Sequence, residues 1–89
     1  MKKELLVISA VWCPSCLVLN KHLKKLSNEG LDIEIRKLDY DLDEDDVLEY
    51  NVGDKLPVLI LRNSNSKEIG RLIGEKSYEE ILKFIKEIN

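Results

Sequence analysis

With 89 residues the chain can build one core without metal or disulfide staples and is too short for a second, so residues 1–89 read as a single domain. At 44% hydrophobic and 35% charged, with only four Gly and two Pro, its composition is that of an ordered domain and excludes a disordered or fibrous chain. The net charge of −3 supplies no global positive field for nucleic acid, and no run reaches the roughly 18 apolar residues of a membrane span. Neither nucleic acid nor membrane is therefore expected as a partner. The opening Met1-Lys2-Lys3 and the apolar run from Leu5 to Trp12 have the outline of a secretory signal, but Glu4 interrupts it and no small-x-small cleavage site follows. A cytoplasmic location is expected.

In chain order, Leu5, Leu6, Val7 and Ile8 form a continuous apolar run between Glu4 and Ser9, which predicts a central strand covered on both faces. Pro14 suits a first helical position. From there Cys16, Leu19, Leu23 and Leu26 recur at helical spacing, with Lys21, Lys24 and Lys25 on the wet side, predicting a helix from Pro14 to Ser27 that ends near Asn28 and Gly30. Leu31, Ile33, Ile35 and Leu38, alternating in part with Asp32, Glu34 and Arg36, predict a second strand. The acidic stretch Asp39 to Asp46 leads into a short helix around Glu44 to Tyr50, with Asp43 as its cap and acids in the first turn favoured by the dipole. Pro57 to Leu61 is a third strand, Asn63-Ser64-Asn65-Ser66 a turn, and Glu68 to Ile73 its antiparallel partner. Ser77-Tyr78-Glu79-Glu80 reads as a capping box opening a last helix with Ile81, Phe84, Ile85 and Ile88 turned inward. The order βαβαββα predicts an α/β fold, a four-stranded mixed sheet with helices on both faces.

The chemistry concentrates in Trp12-Cys13-Pro14-Ser15-Cys16. If a strand ends near Ser9 and a helix starts at Pro14, Cys13 stands at the helix N-terminus and Cys16 one turn inside, close enough for a disulfide. Two cysteines so close in a reducing compartment point to catalysis or metal and not to a staple. Unpaired backbone N–H groups and the positive dipole end favour a thiolate at Cys13, with a bond from the Cys16 thiol adding to this, so a lowered pKa is expected there. At a pKa of about 8.5 roughly 3% of a thiol is ionised at pH 7, against half at about 7. Cys13 is thus the candidate attacking residue and Cys16 the resolving one, a complete cycle of thiol-disulfide exchange.

These residues, with Leu38-Asp39-Tyr40-Asp41, Tyr50-Asn51-Val52, Leu56-Pro57-Val58-Leu59 and Gly74, resemble the thioredoxin superfamily over essentially the whole chain. The resemblance implies the thioredoxin fold, a cis bond before Pro57 facing the cysteines, and a Leu56 backbone that pairs with an incoming substrate strand. It also implies a substrate-binding surface of Trp12, Pro14, Leu56 and Pro57. Disulfide-containing proteins would be the substrates, a thioredoxin-reductase-like enzyme would recycle a monomeric chain, and no cofactor is called for. The sequence departs from thioredoxins in having Pro14-Ser15 where they usually carry Gly-Pro, and Val7 where they carry a buried Asp. Pro14 is similar to glutaredoxins, but Ala10 replaces the Lys they often have and Ile73-Gly74-Glu75-Lys76-Ser77 replaces their glutathione motif.

Other readings compete at several points. A zinc half-site needs further ligands and the chain offers only His22, so no metal is expected; His22, among lysines, reads as a solvated surface residue. Leu17 removes the haem-attachment motif. Asp39-Tyr40-Asp41-Leu42-Asp43 imitates a calcium loop, but Glu44 and Tyr50 stand where Gly and Glu are required, leaving a charged connector. Trp12 reads as a docking surface, Tyr50 and Tyr78 as packing residues. Two alternative functions stay open: a glutathione-dependent, glutaredoxin-like enzyme, and a redox-responsive binding module without turnover.

Overall fold

The computed structural model describes residues 3–31 and 33–87. Its elements are β1 (Lys3–Ser9), α1 (Pro14–Ser27), β2 (Ile33–Asp39), α2 (Glu44–Glu49), β3 (Val58–Arg62), β4 (Glu68–Ile73) and α3 (Tyr78–Glu87). The expected solvent-facing Asp32 and inward-facing Ile88, together with Met1 and Lys2, lie outside the described residues.

The sheet has the order β2-β1-β3-β4, with β1 parallel to β2 through the α1 crossover and antiparallel to β3, and β4 antiparallel to β3. The apolar run of β1 therefore sits between two neighbours, and its period of two sends side chains into separate cores. Leu5 and Val7 join Leu59 and Leu61 beneath α1 and α3, where Leu19, Leu23, Leu26, Ile81, Phe84 and Ile85 cover them. Leu6 and Ile8 point the other way with Leu38, Val58 and Ile60, under Val47 of α2. Full burial of each such side chain contributes about 1.5–3 kcal/mol.

Most element bounds differ from expectation by single residues for local reasons; β2 opens at Ile33, two positions after the expected Leu31, whose carbonyl accepts the Ile33 N–H at 2.9 Å. Pro57, which has no N–H to donate, precedes β3 instead of opening it, and the strand continues to Arg62, the cross-strand partner of Glu4. The Arg62 guanidinium donates to the Glu4 carboxylate, with Nε at 2.9 Å, and Nη1 reaches the Tyr50 hydroxyl at 3.0 Å. Tyr50 closes α2 instead of belonging to it, and Arg71 Nη2 donates to its carbonyl at 2.8 Å. Tyr50 is thus a tether between α2 and the sheet as well as a packing residue.

Asp43 holds the N-cap position of α2, yet its side chain does not cap the helix. Its Oδ2 turns back to accept the Asp39 N–H at 2.8 Å, while Asp39 Oδ1 accepts the N–H groups of Asp41 at 2.8 Å and Leu42 at 3.0 Å. The charged connector is a loop that satisfies its own backbone. At α3, Ser77 Oγ accepts the Glu80 N–H and donates to the Glu80 carboxylate, both at 3.2 Å, so the expected box pairs its side chains with each other.

Candidate active site

β1 ends at Ser9, and the chain turns through Ala10 to Cys13, whose N–H donates to the Ala10 carbonyl at 3.2 Å. Cys13 is the N-cap of α1 in an extended conformation, φ −93° and ψ 112°, and its carbonyl accepts the Cys16 N–H at 3.1 Å. Pro14 fixes the first helical position at no cost in hydrogen bonds, because an N–H there has no intrahelical partner. Both cysteines are buried, Cys13 at 6% exposure and Cys16 at 2%, with Cys13 the outer of the two at the helix start. Both are free thiols and form one buried cluster with Ala10, against which Tyr40 and Leu56 pack. Burial, a shared hydrogen bond with Cys13 and repulsion from it push the Cys16 thiol from 9.0 up to about 11, against the pull of a backbone bond from Ala10.

Loops from three other elements surround the pair. The Leu56–Pro57 bond is cis, as the resemblance implied; Pro57 is buried and Leu56 half-buried. The Pro57 carbonyl accepts the N–H of Gly74, whose φ of +88° lets the chain turn out of β4 at that point. Ser15, Pro57 and Gly74 line one small recess, which brings the first turn of α1 against the Pro57 loop. Trp12 is 58% exposed, donates its indole N–H to Asp41 Oδ2 at 2.7 Å, and meets the Tyr40 ring edge-on at 6.3 Å. Val7 is buried among Leu19, Leu23 and Leu59, so the position six before Cys13, where the resemblance implied a departure from the usual Asp, is apolar here.

Cys13, Cys16 and Leu56 thus converge, Pro57 follows directly, Trp12 stands beside them, and Pro14 is exposed at the start of α1. Sequence reasoning gave no role to Tyr40 or Asp41. Tyr40 lies just past the end of β2, where its N–H donates to the Ser9 carbonyl at 2.8 Å. Residues following the carboxyl ends of neighbouring parallel strands gather at one edge of an α/β sheet, and that rule was the signal available. His22 is half-buried, not fully solvated: its ring lies 6.1 Å from that of Tyr78, whose hydroxyl donates to Glu29 at 2.8 Å.

The family model described as Thioredoxin matches residues 1–87. The chain belongs to the thioredoxin family. Among solved structures, thioredoxin-2 of the malaria parasite, a component of its protein secretion machinery, is 26% identical with a TM-score of 0.86, covering 97% of this chain and 82% of its own. Oxidised mitochondrial thioredoxin 3 of Saccharomyces cerevisiae is 29% identical with a TM-score of 0.84, covering 96% and 77%. Reduced thioredoxin of Schistosoma mansoni is 26% identical with a TM-score of 0.86, covering 99% and 80%. No curated protein sequence matches the chain. Thioredoxin-family membership and the adjacent cysteines support a thiol-disulfide oxidoreductase in general. Among the described residues no group of three His, Cys, Asp or Glu is placed to hold a metal ion, and no helix is long and apolar enough to cross a membrane.

Proposed function

We propose that the chain reduces disulfides in protein substrates through the Cys13/Cys16 dithiol. The observation that supports this most is the position of Cys13 at the N-cap of α1 with Cys16 one turn inside and packed in the same buried cluster. The Cys13 thiolate attacks one sulfur of the substrate disulfide, forming a mixed disulfide and expelling the other substrate sulfur as a thiolate that takes up a proton. Negative charge on the attacking sulfur faces the positive end of the α1 dipole. Cys16 then attacks the Cys13 sulfur, its proton passing by way of solvent to the second substrate thiolate that is expelled, and a Cys13–Cys16 disulfide is left. Two electrons pass to the substrate.

The chemistry of Cys16 supports this order. Burial, the largest cause of its raised pKa, persists through the cycle, whereas the bond to Cys13 and the repulsion from Cys13 end when the Cys13 sulfur enters the mixed disulfide and the Ala10 bond that favours the thiolate stays. Two of the three causes that hold the resolving thiol protonated are thus removed by the first step. Trp12, Pro14, Leu56 and Pro57 form the substrate-facing surface in this reading, and the Leu56 backbone pairs with the substrate strand. A thioredoxin-reductase-like partner returns the pair to the dithiol, in a reducing compartment such as the cytoplasm. Insulin reduction followed by turbidity in dithiothreitol tests the reading: a rate above the dithiothreitol background supports it, and a rate equal to background rejects it.

A further inference from the structure

Beside the cysteine pair, on the face of the sheet that carries α2, lies a groove of about 260 Å³ lined by Tyr40, Asp41, Glu44, Val47, Leu48 and Val52. One wall belongs to the reaction centre, since the same Tyr40 packs against Cys13 and Cys16 and meets Trp12. Leu48 on α2 is 66% exposed and Leu42 in the preceding loop 85%, two aliphatic side chains left to water within seven positions. Such exposed apolar area next to a concave site is suited to covering by a partner.

The rim is acidic. Asp41 and Glu44 are shared with an adjoining hollow that also takes in Asp45 and Asp46. Asp39 and Asp43 use carboxylate oxygens on the loop's own N–H groups, and Asp41 holds Trp12. Among the described residues the ion pairs join Arg62 to Glu4 and Arg71 to Glu68, and none reaches Glu44, Asp45 or Asp46. Compensation of the helix dipole accounts for acids in the first turn of α2. It does not account for exposed leucines set among them, or for a groove that opens beside the dithiol.

We infer that this groove takes a basic, apolar segment flanking the reactive cysteine of a disulfide substrate. An aliphatic side chain of the segment lies against Val47, Leu48 and Val52, and its Lys or Arg meets Glu44, Asp45 and Asp46. This rests on the reductase reading for the nature of the occupant and adds a substrate class to it. Charge decides the sign: an acidic segment is repelled by the same carboxylates that attract a basic one.

The test uses two synthetic peptides, each with its cysteine held as a mixed disulfide with thionitrobenzoate, whose release is coloured. One carries Leu-Lys-Lys beside the cysteine and the other Leu-Glu-Glu. The basic peptide is expected to show a kcat/KM about tenfold higher, falling toward equality in about 0.5 M salt. The ratio also collapses in the Glu44→Gln/Asp45→Asn/Asp46→Asn variant. Cysteine-free versions titrated against the fluorescence of Trp12, the single tryptophan, report binding apart from turnover, the basic one binding more tightly. Equal rates for the two peptides, or a ratio that survives in the triple variant, overturn the groove assignment and leave the reductase reading standing. No release from either peptide overturns the reductase reading and the proposed occupant with it.

Discussion

Trp12 and Asp41, 29 positions apart in the chain, are joined by a 2.7 Å hydrogen bond from the indole N–H to a carboxylate oxygen. An exposed ring next to a reaction centre is of little use for docking if it wanders. Here it is fixed at both ends, because Asp41 is itself anchored through its N–H to Asp39 Oδ1 at 2.8 Å. Asp41→Ala is expected to leave the fold intact, costing about 1 kcal/mol or less at this exposed position. Trp12 emission is expected to change and acrylamide to quench it more readily, with reduction of protein disulfides slowed severalfold. Unaltered emission and quenching would show that the bond does not form in solution.

The burial of Cys16 has a consequence for stability. Its thiol ionises near 9.0 in the open chain and at about 11 in the fold, so the folded state favours the protonated form. A group raised in this way contributes fully below its unfolded pKa and loses that contribution as pH rises through the folded one. The window is therefore pH 9 to about 11. Urea denaturation of the reduced protein is expected to show a midpoint that falls across this window more steeply than that of Cys16→Ala. Parallel profiles for the two proteins would refute the assignment of the shift to Cys16.

Much of this frame was legible in the sequence because it depends on periodicity. The run Leu5 to Ile8 suits a strand covered twice, and the spacing of Cys16, Leu19, Leu23 and Leu26 suits one face of a helix beginning at Pro14, as the structure has them. The cysteine pair followed from that boundary. The cis bond at Leu56–Pro57 was legible only through the family, since an X-Pro bond carries a cis share of about 5–6%. Asp43 illustrates a different limit: an acid at such a junction can bond forward to helix N–H groups or backward to the loop, and here the turn out of β2 leaves the Asp39 N–H to be satisfied. Tyr40 became part of the site through the pairing of Ser9 with Asp39 in the β1–β2 register, a contact between distant segments that no local pattern records.

Gly74 links the hairpin to the loop that faces the cysteines, through its 2.9 Å bond to the Pro57 carbonyl. A Cβ built there meets nothing within 4 Å, so the effect of Gly74→Ala is conformational, arising from a φ of +88°. A loss of about 1–2 kcal/mol is expected, lowering Tm by roughly 5 °C or more in a domain of this size. Gly53→Ala is the control: that position also has open space and lacks a positive φ, so its Tm is expected to hold or rise slightly. Equal effects of the two substitutions, read by thermal denaturation, would contradict the role given to the backbone at Gly74.

The division of labour between the two sulfurs separates most cleanly by replacing each in turn. Cys13 is the N-cap of α1, while Cys16 lies one turn inside the helix at 2% exposure and packs in the same cluster as Cys13. Cys13→Ser is therefore expected to lower disulfide reduction by about a thousandfold or more, to the level of the uncatalysed exchange. Cys16→Ser is expected to keep the first attack and lose the second, so that substrate accumulates as a covalent adduct on Cys13. Intact mass spectrometry reads this as a mass increase equal to one substrate chain, reversed by dithiothreitol. An adduct on Cys16 in the Cys13→Ser protein would instead mean that the buried thiol attacks first, and the assignment of roles at this helix terminus would have to be exchanged.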